Sequence, residues 1–345
     1  MLLITLILCF TSIPANAVWN GTDAIEGNRV IAIYNGPPTE KEQTGATGFL
    51  YSPYIVFTVA HGFYGDDRVE VPRYRDIPYS VGLPGAKSGS NAKRILVKKV
   101  FIAKNFINRD MFQDGGTHIT RQNDFAVLVL SEKLPLEDKK VFLLTPETHE
   151  KMIAEKSTVV LTGYGHQTAD SEINPQSPDE KLDRTPKSIN IQMYGKQVPI
   201  QSLNGIFPFN RYPERNFTYD QTLNFYIPYG SNTSICSGDS GSPYYIDDGK
   251  SITYLGANSS AVGITNCGTM QMATAGGYVS GDPVYLYKDL ISEAEKYVAD
   301  YFYTTPKATQ HSSNKKSTVT CIKGKTTKKV TAVNPMCPVG YKKKK

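Results

Sequence analysis

The chain has 345 residues, 40% of them hydrophobic and 20% charged, with 28 Gly, 21 Pro, 22 Tyr and 5 Cys. This composition supports a large packed core and excludes wholesale disorder, and without an apolar run near ~20 residues beyond the first few positions it excludes an internal helical membrane span. The net charge of +6 is uneven, because Thr304 to Lys345 hold 11 Lys and no acid, so a mildly acidic body carries a basic appendage and does not read as a nucleic-acid-binding domain.

In chain order, Leu2 to Phe10 form a short apolar stretch, followed by Pro14 and then Ala15-Asn16-Ala17. Small residues three and one positions before a cut suit signal peptidase, and the run is too short to anchor in a bilayer. Residues 1–17 therefore read as a signal peptide, and Val18 as the first residue of an exported protein. Cys9 lacks the small residue expected before a lipidated cysteine. Beyond the leader, short apolar or alternating segments stand between turn-rich stretches: Arg29–Tyr34, Gly48–Thr58, Arg94–Ala103, Phe125–Leu130, Ser157–Thr162, Ser188–Met193, Leu223–Pro228, Pro243–Ile246 and Ile252–Ala257. Many short strands separated by Gly, Pro, Asn and Asp predict an all-β barrel or sandwich. Residues 104–122 and 166–232 are polar and read as long surface loops. One helix is predicted from Tyr287 to Phe302, with Leu290, Ile291, Ala294, Tyr297 and Val298 on one stripe. Thr305 to Ser317 reads as a linker, and Cys321 to Cys337 as a small disulfide-closed hairpin ahead of four final Lys.

Past the leader four cysteines remain, Cys236, Cys267, Cys321 and Cys337. An even count in an exported chain suggests two disulfides, for which three pairings exist. The sequence-local pairing, Cys236 with Cys267 and Cys321 with Cys337, keeps one bridge in the body and one in the tail. In the chain-entropy picture such bridges contribute roughly 3–4 kcal/mol each. The spacings do not suit a metal, and no paired His stands at ligand spacing, so neither a metal nor another cofactor is expected.

Three local features carry chemistry. His61 ends the apolar strand Tyr54–Ala60 and is followed by Gly62, so it is held on a rigid element at a cleft. Asp124 immediately precedes the apolar strand Phe125–Leu130; a carboxylate at such a strand mouth is costly to bury without a partner. Ser240 sits between glycines in Cys236-Ser237-Gly238-Asp239-Ser240-Gly241-Ser242-Pro243, a turn in which backbone N–H groups can converge on a developing oxyanion. Each feature alone is commonplace; the order His, Asp, Ser in one barrel-like chain is far more specific.

That order, with its flanking residues, resembles the trypsin/chymotrypsin-type serine endopeptidases. Thr58-Val59-Ala60-His61-Gly62 resembles the family's Thr-Ala-Ala-His-Cys, Asn123-Asp124-Phe125-Ala126-Val127-Leu128 its Asp-Ile-Ala-Leu segment, and Gly238-Asp239-Ser240-Gly241-Ser242-Pro243 its Gly-Asp-Ser-Gly-Gly-Pro. Thr162-Gly163-Tyr164-Gly165 and Pro283-Val284-Tyr285 add weaker echoes, so the resemblance runs from about Val18 to Phe302. It implies a chymotrypsin-like fold of two six-stranded antiparallel β-barrels with a C-terminal helix. The first barrel would span about 18–150, the second about 151–286, the helix 287–302 and the tail 304–345. It further implies Ser240 as nucleophile, His61 as general base and acid, and Asp124 as its orienting carboxylate. The backbone N–H groups of Gly238 and Ser240 would form the oxyanion hole. Cys236 and Cys267 match the family's bridge beside the specificity pocket, whereas Gly62 marks the loss of its bridge after the histidine.

The same resemblance implies an activation ion pair between a new N-terminal ammonium at Val18 and the carboxylate of Asp239. The pocket floor falls on Ser234, with Ser259 and Ala261 on its walls; Ser at the floor argues for an apolar or mixed preference. Asp282, near the far wall, is the residue that would restore selectivity for basic side chains. The expected protein is a secreted monomer of bacterial type that cleaves protein or peptide substrates. Its Lys-rich tail would be attracted to an anionic cell surface. The rival reading is a protease-fold binding protein without turnover, against which the complete triad argues.

Overall fold

The computed structural model describes residues 18, 21–24, 28–38, 44–64, 77–89, 92–111, 118–136, 138–165, 184–195, 223–227, 233, 235–262, 277–304, 317–324, 326–332, 337–338 and 340–344. The leader, the linker after Thr304, and Ser234 and Cys267 lie outside them, as does most of 166–232.

The first half of the body closes into a six-stranded barrel. Its strands are β2 (Val30–Tyr34), β3 (Thr44–Ser52), β4 (Ile55–Thr58), β5 (Ser80–Val81), β6 (Ile95–Ile102) and β9 (Ala126–Leu130), in the order β2-β3-β4-β9-β6-β5. Every residue of β2, β4 and β9 is buried. Such continuous apolar runs arise where a strand has both faces covered. Ile31, Ile33, Leu50, Val56, Val81, Ile95, Leu128 and Leu130 fill the barrel interior. The outward face is covered too: Val30, Ala32 and Tyr34 cluster with Tyr164, and Tyr254 packs against Phe49 and Phe57 with ring centroids 4.8 and 5.2 Å away. Aromatic pairs of this kind contribute roughly 0.5–1.5 kcal/mol each beyond their buried area, and here they join the first half of the body to the second.

The second half is built on β11 (Thr158–Gly163), β12 (Lys187–Gly195), β13 (Leu223–Ile227), β14 (Pro243–Asp247), β15 (Ser251–Ala257), β16 (Ser260–Val262) and β17 (Gly277–Gly281). It differs from the expected six strands, because two strands from the first half of the chain join it. These are β1 (Thr22–Asp23) and β10 (Lys140–Leu143). The resulting sheet has nine strands, in the order β10-β15-β14-β11-β12-β13-β17-β16, with β1 paired to β12. Strand β10 lies parallel along β15, and β1 aligns Thr22 with Ser188. Each saturates backbone groups that would otherwise form an open edge.

Two local elements also differ from expectation. The polar stretch 104–122 holds a hairpin, β7 (Ile107–Met111) against β8 (His118–Gln122), in place of a loop throughout. A helix the hydrophobic periodicity does not reveal, α1 (Pro146–Ala154), starts after Thr145, whose hydroxyl accepts from the Thr148 N–H at 3.2 Å. The expected C-terminal helix is α2 (Lys288–Val298), led in by a 3-10 turn over Val284–Tyr287 and followed by a wider turn over Ala299–Thr304.

Compactness divides the chain into Met1–Glu295 and Lys296–Lys345. Within the second unit β18 (Ser317–Lys323) pairs with β19 (Thr326–Ala332) and with β20 (Lys342–Lys343). Cys321 and Cys337 are bridged, with Cα atoms 5.5 Å apart.

Candidate active site

The barrel's hydrogen-bond ladder explains why His61 meets Asp124. Strands β4 and β9 are antiparallel neighbours, with Thr58 opposite Ala126. The segment leaving β4 and the segment entering β9 therefore emerge at the same barrel end. His61 opens a short turn, His61–Phe63, just past β4. Asp124 precedes β9 and comes after Asn123, whose φ of 53° lies in the left-handed region that Asn tolerates better than most residues. The Asp124 carboxylate then accepts twice from His61: Oδ1 from the backbone N–H at 2.8 Å and Oδ2 from ring Nδ1 at 2.7 Å. Asp124 is buried, while 13% of the His61 side chain stays accessible. Holding Nδ1–H on the carboxylate leaves Nε2 as the acceptor nitrogen, and the Ser240 hydroxyl lies 2.8 Å from it.

Ser240 arrives on the turn ahead of β14. Gly238 and Gly241 there have φ of 94° and 83°, which side chains rarely adopt. A Cβ on Gly241 would stand 2.2 Å from the Thr47 carbonyl and from Thr58 Oγ1, so the turn fits against the first barrel only without one. Thr47 of β3 is the clamp. Its N–H donates to the Ser240 carbonyl at 2.8 Å, and its hydroxyl donates to the Gly238 carbonyl at 2.9 Å while accepting from the Tyr164 N–H at 3.0 Å. On the far side the Gly241 N–H donates to the Asn258 carbonyl, and Asn258 Nδ2 donates to the Asp239 carbonyl. With their carbonyls so held, the N–H groups of Gly238 and Ser240 have no acceptor among the described residues.

Asp239 is fully buried beneath this turn. Its carboxylate accepts from the N–H groups of Gly165 at 2.7 Å and Cys236 at 2.8 Å, and from that of Val18. Burial pushes the carboxyl up to about 7; those hydrogen bonds and the Arg184 charge oppose the rise. Arg184 is itself buried, and donates to the Tyr164 carbonyl at 3.1 Å. Val18 is buried too, with φ of 43°, a conformation that is strained for a β-branched residue.

Two further side chains converge on Asp124. The Ser259 hydroxyl, expected on the pocket wall, donates to Asp124 Oδ2. Asp282, expected near the far wall of the pocket, accepts from the Asp124 N–H at 3.0 Å and from the Tyr287 hydroxyl at 2.6 Å. Ala261 pairs with Val279 in β16, and Ser234 lies outside the described residues. Cys236 is disulfide-bonded, to a partner outside the described residues; Cys267 also lies outside them. No local sequence signal marks Thr47 or Arg184: each acts through a contact more than a hundred residues away or a charge buried beside it. Among the described residues no cluster of His, Cys, Asp and Glu could hold a metal.

Residues 18–291 match the family model described as Trypsin. No curated protein matches the chain.

Proposed function

Because the chain belongs to the trypsin family, we propose that it is an exported endopeptidase that cuts peptide bonds through an acyl-enzyme on Ser240. Membership makes it a serine-peptidase-type protein with protein or peptide substrates. The observation that carries the finer reading is the unbroken line Asp124–His61–Ser240, with contacts of 2.7 and 2.8 Å. The Ser240 hydroxyl donates to Nε2, so attack of Oγ on a carbonyl delivers its proton to the imidazole. The imidazolium that forms is stabilised by the buried Asp124, and it returns the proton to the leaving amine. The unclaimed N–H groups of Gly238 and Ser240 would receive the oxyanion, where losing one donor costs on the order of 10²–10³ in rate.

Activation rests on the same geometry. The Val18 N–H already donates to Asp239. Cleavage before Val18 would replace this amide by an ammonium at the same place, and would abolish the strained φ altogether by removing the bond that defines it. Signal-peptidase cleavage then suffices, and no separate propeptide is required. Ser at the expected pocket floor, Ser234, supports an apolar or mixed preference. The Lys-rich sheet after Ser317 supports electrostatic attachment to an anionic cell surface, with the protein acting as a monomer.

The test is labelling with a fluorophosphonate probe. The mature protein should label and turn over peptide substrates, and Ser240→Ala should do neither. Turnover that survives in Ser240→Ala removes the proposal.

A further inference from the structure

Behind the Asp124–His61 pair lies a second buried carboxyl that the proposed mechanism does not use. Asp282 sits just past β17, where the second sheet ends against the mouth of the first barrel, and is 8% exposed. One of its oxygens, Oδ2, accepts both from the backbone N–H of Asp124 at 3.0 Å and from the Tyr287 hydroxyl at 2.6 Å. The Tyr287 ring stacks on Phe125, the residue after Asp124, with centroids 4.5 Å apart and planes 5° from parallel. Asp124 is therefore held at three points: by His61 and Ser259 at its carboxylate, by Asp282 at its backbone, and through Phe125 by the turn that leads into α2.

We propose that Asp282 is a positioning residue for the triad: its carboxylate fixes the Asp124 backbone and sets a second negative charge behind the His61 imidazolium. The inference rests on the triad reading of Ser240, His61 and Asp124. A buried N–H needs an acceptor. The left-handed Asn123 turns the chain so that Asp124 leads into β9 rather than continuing an earlier strand, and the acceptor comes from the other half of the body. Any acceptor would satisfy that N–H. A carboxylate does more, since a negative charge near a forming imidazolium favours the protonated ring.

The charged and titratable groups facing Asp282 are Asp124 from the strand mouth and Tyr287 from the turn before α2, with Tyr254 of β15 and His61 beyond them. Burial pushes the Asp282 carboxyl up to about 6; the Tyr287 and Asp124 hydrogen bonds oppose the rise, and the Asp124 charge adds to it. Burial, then the Asp282 charge, raises the Tyr287 phenol, so Tyr287 remains a donor throughout the working range. Above pH ~7 Asp282 is then an anion, and it gains its proton over the range in which a catalytic histidine does.

Three substitutions separate the roles. Asp282→Asn keeps an acceptor oxygen for both donors and removes the charge. It should lower kcat by about 3- to 10-fold, leave KM unchanged, and move the acid limb of kcat/KM down by about 0.5 pH unit, because the imidazolium loses a stabilising charge. Asp282→Ala also leaves the Asp124 N–H without its acceptor and should lower kcat by about 100-fold, with fluorophosphonate labelling slowed in step. Tyr287→Phe keeps the charge with one donor fewer, and should leave the pH profile nearer to the parent's than Asp282→Asn does. Should Asp282→Ala fail to fold, the Asn variant alone decides. Parental kcat and an unmoved acid limb in Asp282→Asn overturn the inference, as does a change confined to KM or to preference for basic side chains, which would make Asp282 a pocket residue. Ser240→Ala run alongside tells the two failures apart: if it is dead while the Asp282 variants behave as the parent, only this inference falls.

Discussion

Placing one alanine before Val18 tests the proposed link between a new N-terminus at Val18 and the turn carrying Ser240. In the extended protein the Val18 nitrogen is an amide and still donates to Asp239, but it carries no charge. The Asp239 carboxyl, raised from 3.8 to about 7 chiefly by burial, then has no full positive charge at bonding distance; Arg184 acts on it from further off. A rise of that size is about 4 kcal/mol against the ionised form, and in the proposed activation a free Val18 ammonium would offset it. If the turn carrying Gly238 and Ser240 is ordered only when Asp239 is comfortably ionised, withholding the ammonium should lower kcat/KM by on the order of 10²–10³. The comparison needs two proteins whose N-termini are set by removal of a tag, one starting at Val18 and one at an added Ala, with active sites titrated by fluorophosphonate. Stability supplies an independent reading. A carboxyl whose folded value lies above its unfolded value binds its proton more tightly when folded. Its contribution is therefore complete below about pH 4 and is lost as pH rises through about 7. The melting temperature of the extended form should accordingly fall between pH 4 and 8 by more than that of the Val18 form. Equal turnover in the two proteins, together with matching pH–stability curves, would refute the reasoning.

Two further outcomes rest on named residues. Thr47→Val removes the hydroxyl that donates to the Gly238 carbonyl and accepts from the Tyr164 N–H; kcat should drop by about 10- to 100-fold, with the slowing equally visible in fluorophosphonate labelling. Deleting residues 304–345, with their 11 Lys, should leave peptide turnover unchanged and abolish co-sedimentation with cells at low salt; the full chain should be released as salt is raised. Retention of the truncated protein on cells would dismiss the electrostatic role of the tail.

How much is legible in the chain depends on the range of the interactions involved. The strand around Ile55–Thr58 is legible because both of its faces are buried and its run is therefore apolar throughout. The candidate triad His61, Asp124 and Ser240 is legible because each residue stands in a short motif that resembles one of the trypsin family's. Helix α1 is not legible by periodicity, since it buries only His149 and Met152; its Thr145-Pro146-Glu147 start is the signal that would have found it. The nine-stranded sheet is not legible because the β10–β15 and β1–β12 pairings are decided by which edges are left open, and that is a property of the assembled sheet.

Ser259 and Asp282 mark the boundary most sharply. The family resemblance implies that both lie near the pocket, and the structure shows both with an oxygen against Asp124. By itself the sequence determined the class of fold, the motifs that mark three candidate reacting groups and the turn glycines, because apolar patterning, short motifs and φ preference act over a few residues. Tertiary structure alone decided that Thr47 clamps the turn carrying Ser240, that Asp239 is shared among three backbone donors, and that a second carboxyl stands behind the first. Those outcomes depend on which polar groups burial strands side by side, and hydrogen-bond satisfaction is settled only once the two halves of the body have packed.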